Sequence, residues 1–140
     1  MNKRYYIAYG SNLNVPQMKV RCPFATIYKK GELKDYELLF RGNRKNAYLT
    51  IEPKEGGVVP VVIWEVTPKD EENLDFYEGY PVLYDKKIVN LPDGSKAFTY
   101  TMNNGFDIGE PTDRYVRTCL EGYEYFGFDK EILLGAIPKK

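Results

Sequence analysis

The sequence predicts an α+β fold, built on a mostly antiparallel or mixed sheet able to close as a barrel. Three observations carry this. Short β-like runs outnumber the helical stretches and are not separated from one another by helices one for one, which disfavours a doubly wound parallel sheet. Two segments carry full helix-start signals, at Thr67-Pro68 and at Thr112. The 140 residues show no repeat, linker or low-complexity tract, so residues 1–140 fit one domain.

Taken in order, Arg4–Ala8 reads as a first strand that stops at Gly10. Asn14 is placed to cap a short helix, with Pro16 in its first turn and an end before Pro23. Residues 33–40 and 47–51 read as strands, the second alternating Ala47, Leu49 and Ile51. Residues 58–66 form a continuous apolar run, the mark of a buried strand, and Pro60 inside it predicts a bulge or an edge. Thr67 then caps a helix opened by Pro68, with Asp70, Glu71 and Glu72 at its positive end. That helix is predicted to end near Tyr77, just before Gly79. Residues 84–91 and 96–102 read as a hairpin joined through Pro92-Asp93-Gly94-Ser95. After Thr112, the positions Tyr115, Val116, Cys119, Leu120 and Tyr123 recur at helical spacing, and residues 130–134 read as a short helical tail.

Composition narrows the chemistry. Lys plus Arg equals Asp plus Glu, so nothing suggests a nucleic-acid partner. The cations Arg41, Arg44 and Lys45 lie close in sequence to Glu37 and Glu52 and read as a solvated loop. No stretch approaches the ~20 apolar residues of a membrane span, and Gly10, Ser11 and Asn12 interrupt the only apolar run near the N-terminus, against a signal peptide. Cys22 and Cys119 read as buried free thiols, which predicts a reducing, cytoplasmic setting. Histidine is absent, which removes Ser-His-Asp and Cys-His pairs, His-ligated zinc and the commonest general base. Any proton transfer falls to a carboxylate, tyrosine, lysine or thiol.

Two places invite chemistry. In Tyr9-Gly10-Ser11-Asn12-Leu13, Gly10 permits a turn with positive φ and leaves the peptide groups uncovered. Ser11 and Asn12 add hydrogen-bonding side chains, and amides beside a helix start suit a partly negative oxygen. A plain strand-to-helix turn capped by Asn12 or Asn14 explains the same residues. Glu78 lies among aromatic neighbours at a helix C-terminus, where desolvation and the helix dipole both disfavour the anion and raise its pKa. That suits a general base; a solvated glutamate at a frayed helix end is the plain alternative, and Asp75 reads as a surface or helix-bonding acid. Tyr84, Tyr100, Tyr115, Tyr123 and Tyr125 are candidates for a pocket lining or for core. Arg21 and Arg114 are both candidates to meet a substrate carboxylate, and the sequence does not choose between them.

Taken together, Tyr9 to Leu13, Arg21 to Pro23, Val62 to Val66, Leu74 to Gly79, Tyr84, and Pro111-Thr112 with Tyr115 stand in an order and spacing that resembles the γ-glutamyl cyclotransferase-like family. The resemblance implies a small mixed β-barrel with helices packed outside. It implies that the loop Tyr9-Gly10-Ser11-Asn12-Leu13 binds a γ-glutamyl group, that Glu78 is the catalytic acid, and that Tyr84 and Tyr115 face the pocket. The substrate is then a small γ-glutamyl amine or amino acid, with no metal, cofactor, nucleic acid or membrane involved. Val-Pro-Val within residues 57–63 departs from the family's usual glycine and predicts an altered pocket wall; Tyr80-Pro81 points to the bacterial and amine-acting branches. A non-catalytic binding module and a hydrolase or acyltransferase in the same pocket stay open, as do the amine portion of the substrate and the oligomeric state.

Overall fold

The computed structural model describes residues 3–139; Met1 and Asn2 of the N-terminal segment lie outside the described residues, as does Lys140. Strand β1 (Arg4–Ala8) leads into a 3-10 turn (Ser11–Leu13) and helix α1 (Val15–Arg21). Strands β2 (Thr26–Asn43) and β3 (Asn46–Val66) form one long hairpin, followed by α2 (Pro68–Glu78). The hairpin β4 (Tyr84–Asn90) and β5 (Lys96–Met102) precedes α3 (Asp113–Phe126) and α4 (Lys130–Leu134).

The five strands make one mixed sheet in the order β2-β3-β1-β5-β4, parallel only between β1 and β5. The α+β class is as predicted, but the barrel is not closed by a hydrogen-bonded ladder. The reason is length: β1 has five residues and pairs only with Val62–Val66 of the 21-residue β3, so the rest of β3 swings past its end. Side chains span the gap instead. The Met102 N–H donates to Thr50 Oγ1 at 2.9 Å, and the Tyr84 hydroxyl donates to the Leu49 carbonyl at 2.6 Å. Pro60 lies in the overhanging part, paired with Glu32 of β2 and beyond the reach of β1, so its missing N–H costs no ladder bond on that side.

The strands read as separate at residues 47–51 and 58–66 are one strand bent between them. Asp35, at φ 67°, and Gly56, at φ 79°, sit at the bend, and Asp35 Oδ1 accepts the Gly56 N–H at 3.0 Å. Pairing jumps there from Lys34–Val58 to Tyr36–Pro53. Strand β2 also begins seven residues before its predicted start, because Thr26–Glu32 is largely exposed and takes strand form from pairing with residues 60–65 rather than from an apolar pattern of its own. Arg41 pairs with Glu52 across the hairpin, in keeping with a balanced, solvated surface.

Helix α2 lies as its sequence predicts. Thr67 and Asp70 form a reciprocal capping box, and Gly79 closes the helix at φ 67°. Charge pairs strap it across the sheet: Glu71 to Arg4 of β1 at 3.4 Å, and Lys86 of β4 to Glu71 at 2.6 Å and Asp75 at 2.9 Å. Asp75 also accepts from the Tyr100 hydroxyl of β5 at 2.6 Å, so it is a strut between helix and sheet rather than a surface acid. Helix α1 is capped by Asn14, whose Oδ1 accepts the Gln17 N–H and whose Nδ2 donates to Thr118 O and Glu121 Oε1 of α3. Met18, Leu74, Cys119, Tyr123 and Leu133 carry the helices into a single core with Ile7, Phe40, Leu49 and Phe98. Cys22 and Cys119 are buried and free.

Candidate functional site

The 3-10 turn follows β1 directly. The Leu13 N–H donates to Gly10 O and the Asn14 N–H to Ser11 O, each at 3.0 Å, while the Ser11 and Asn12 N–H groups, the first amides of the turn, have no partner among the described residues. Gly10 does not take the positive φ expected of it: its φ is −130° and ψ −123°. What its missing side chain supplies is room. A Cβ there would stand 3.3 Å from Leu49 Cδ1 and 3.4 Å from the Tyr115 hydroxyl.

Glu78, the last residue of α2, meets this turn across a small cavity of about 20 Å³, enough for one water. Tyr9, Gly10, Ser11 and Asn12 line it on one side, and Tyr84 and Tyr115 close it beside Glu78. The loop from β1, the end of α2, the start of β4 and the first turn of α3 therefore converge. Leu13, grouped with the cradle in sequence, does not line the cavity. It is fully buried beneath it, against Gly122 of α3. Tyr6, Leu49 and Tyr100 complete the lining. Tyr6 follows from alternation along β1, which places it with Ala8 on the face opposite Ile7. Leu49 reaches the cavity through the overhang of β3, for which the sequence has no signal. Tyr123 is core, Tyr125 is exposed, and neither borders the cavity. Nor does any residue of 57–63, so the departure at Val-Pro-Val leaves the cavity wall untouched.

Most of the tyrosine hydroxyls are anchored to the protein. Tyr9 donates to Tyr100 O at 2.6 Å and Tyr84 to Leu49 O at 2.6 Å. Tyr115 differs: its oxygen accepts the Leu49 N–H at 3.2 Å and lies beside Gly10. Tyr6 likewise accepts from Asn12 Nδ2 at 2.8 Å. At the rim, the Arg21 guanidinium donates to Asn12 Oδ1 at 2.7 Å and to Gln17 Oε1 at 2.6 Å, and lies 3.7 Å over the ring of Tyr77. The Tyr77 hydroxyl is 3.1 Å from Ser11 Oγ.

The electrostatics single out one group. Burial pushes the Glu78 carboxyl up to about 7, with the Arg21 charge pulling the other way. Burial drives the thiols of Cys22 and Cys119 to about 12, and the pocket tyrosines far above their ordinary range. Burial opposes the charge on Lys86, but its bonds to Glu71 and Asp75 prevail and raise it. Of the groups able to move a proton in a histidine-free chain, Glu78 is the one poised to do so near neutrality.

Known proteins share this architecture. A structure described as a γ-glutamyl cyclotransferase superposes with a TM-score of 0.84 at 25% identity, covering 99% of this chain and 90% of that one. A human protein described as uncharacterized gives 0.83 at 26% identity, over 100% and 90% of the two chains. YkqA from Bacillus subtilis gives 0.80 at 20% identity, over 100% of this chain and 57% of its own, a likeness of fold. No curated protein sequence matches the chain significantly. The family model described as "Gamma-glutamyl cyclotransferase, AIG2-like" matches residues 6–125, from the middle of β1 to the end of α3 and so across the whole cavity, and the chain belongs to that family.

Proposed function

We propose that the protein releases 5-oxoproline and a free amine from a γ-glutamyl amine or γ-glutamyl amino acid, by attack of the substrate's own α-amino group on its γ-carbonyl. The observation that carries this reading is a carboxyl held near 7 by burial that lines one small cavity together with Gly10, Ser11 and Asn12 of the turn. Glu78 takes a proton from the α-ammonium group. The freed amine closes on the γ-carbonyl carbon, and the C–N bond that forms completes a five-membered ring. The oxyanion collects hydrogen bonds from the Ser11 and Asn12 amides, a contribution of about 3 kcal/mol per donor. Glu78 returns the proton to the departing amine as the old amide bond breaks, and the second proton lost by the attacking nitrogen also goes to that amine, which leaves as its ammonium form beside the neutral lactam. Holding both reacting ends of one molecule together contributes about 7–11 kcal/mol.

The closed cavity is too small for the γ-glutamyl group, so binding requires the rim to part. Tyr77, 41% exposed and hydrogen-bonded to Ser11, is the exposed aromatic at that rim. Incubation with a panel of γ-glutamyl amines and γ-glutamyl amino acids is expected to yield 5-oxoproline and the free amine in equal amounts. Release of free glutamate would instead mean that water is the nucleophile, and no product from any member would leave only a binding role. The space at Gly10 makes a second prediction. Gly10→Val crowds Leu49 and the Tyr115 hydroxyl, and KM is expected to rise at least about tenfold, in line with the misplacement of a positioning group. Unchanged KM in that variant would remove the cradle from the account.

A further inference from the structure

We propose that Arg21 binds the α-carboxylate of the substrate and so restricts the enzyme to acyl groups carrying a free acid at that carbon. The inference rests on the γ-glutamyl reading above and adds to it the group that recognises the carboxylate.

Three observations place Arg21 for this. First, its head group stands at the rim of the cavity, bonded to Asn12 of the lining and stacked on Tyr77, the residue before Glu78. Gln17 of α1 and Tyr77 of α2 hold the guanidinium itself, and Asn73 Nδ2 of α2 donates to the Arg21 backbone carbonyl at 3.0 Å. Second, it is a half-buried cation whose bonded partners are neutral. Arg4, Arg41 and Lys86 each pair with a carboxylate, whereas Arg21 has no ion pair among the described residues and spends one N–H on each of two amide oxygens. The remaining donors of its planar fork suit the two oxygens of a carboxylate. Third, the chemistry requires a cation here. The α-amine and the α-carboxylate sit on one carbon, so an amine delivered to Glu78 brings a negative charge to the same end of the cavity. Arg21 is the cation whose charge reaches Glu78. Neither arginine lines the cavity itself, but Arg21 is bonded to Asn12 of the lining, whereas Arg114, the other sequence candidate, is exposed on the first turn of α3.

The test separates recognition of the carboxylate from turnover. Binding of 5-oxoproline and of its carboxamide is measured by calorimetry or NMR titration to the wild type, Arg21→Gln and Arg21→Lys, with melting curves to check folding. The wild type is expected to prefer the acid. Arg21→Gln is expected to lose about 100-fold in affinity for the acid while holding the carboxamide within about twofold, and Arg21→Lys, which keeps the charge but not the fork, about tenfold. With an active enzyme, the same loss is expected mainly in KM. Equal weakening on both ligands would show a merely structural arginine and overturn the proposal, as would unchanged affinity for the acid. If Arg21-dependent binding of the acid is seen but no γ-glutamyl compound is turned over, the cyclisation fails and the carboxylate site stands.

Discussion

Glu78→Gln is expected to reduce 5-oxoproline release by at least about 10³-fold while leaving ligand affinity within a few-fold, because the amide keeps the shape of the side chain but cannot shuttle a proton. The wild-type rate should fall about tenfold per pH unit below 7 and level off above it, since the carboxylate is the active form and burial holds its pKa at about 7. The same burial makes a prediction about folding that needs no substrate. An unfolded glutamate has a pKa near the ordinary value of 4.5, so the folded state binds the proton more tightly. Stability attributable to this group is therefore present below about pH 4.5 and is lost as pH rises to about 7. The loss is about 3 kcal/mol, roughly 2.5 pH units at about 1.4 kcal/mol each. Glu78→Gln never forms the buried anion, and urea titrations should find it more stable than the wild type at pH 8 by that amount, with little difference at pH 4.5. A variant that still cyclises would dismiss Glu78 as the base. Equal stability differences at the two pH values would dismiss its dry setting.

That Glu78 sits in a desolvated setting was legible in the sequence, but the source of its dryness was not. Its aromatic neighbours in sequence suggest an apolar setting, yet Phe76 is 90% exposed and Tyr77 lies half out at the rim. The groups that exclude water come from afar: Tyr6 and Tyr9 from β1 and its loop, Leu49 from β3, Tyr84 and Tyr100 from the second hairpin, Tyr115 from α3. Local signals sufficed wherever a local interaction decides the conformation. The capping box at Thr67 and Asp70, the glycine that stops α2, and the bounds of β1 are of that kind. They failed where pairing imposes form on residues with no pattern of their own. The exposed start of β2 is one case, and residues 52–57, which join the two predicted runs of β3 into one strand, are the other. The cradle glycine shows the same division. A turn at Gly10 is written in the residue type, but what the glycine makes room for, Leu49 and the Tyr115 hydroxyl, depends on elements far along the chain.

The site's dependence on distant packing predicts a large effect at Gly122, a residue of α3 that does not border the cavity. This glycine lets the helix lie directly on the 3-10 turn. A Cβ added to it would stand 2.5 Å from Leu13 Cβ, 2.6 Å from the Leu13 carbonyl carbon and 2.7 Å from its oxygen. Two of those atoms are backbone, so no rotamer change relieves the contact. Either α3 or the turn must retreat by roughly 1 Å to restore ordinary carbon–carbon spacing. Overpacking of this kind costs about 1–3 kcal/mol, against which the better helix propensity of alanine returns at most about 1 kcal/mol. Gly122→Ala should therefore be destabilised by about 1–2 kcal/mol in urea. Its activity should fall further than its stability suggests, because Tyr115 rides on α3 and the Ser11 and Asn12 amides on the turn, and a 1 Å misplacement of such groups costs about 10²-fold in rate. Adding Leu13→Ala should not rescue the variant, since the obstructing carbonyl remains. A Gly122→Ala protein that gains stability and keeps full activity would mean that α3 does not sit on the turn as closely as this, and that the two halves of the cavity wall are held in place by something else.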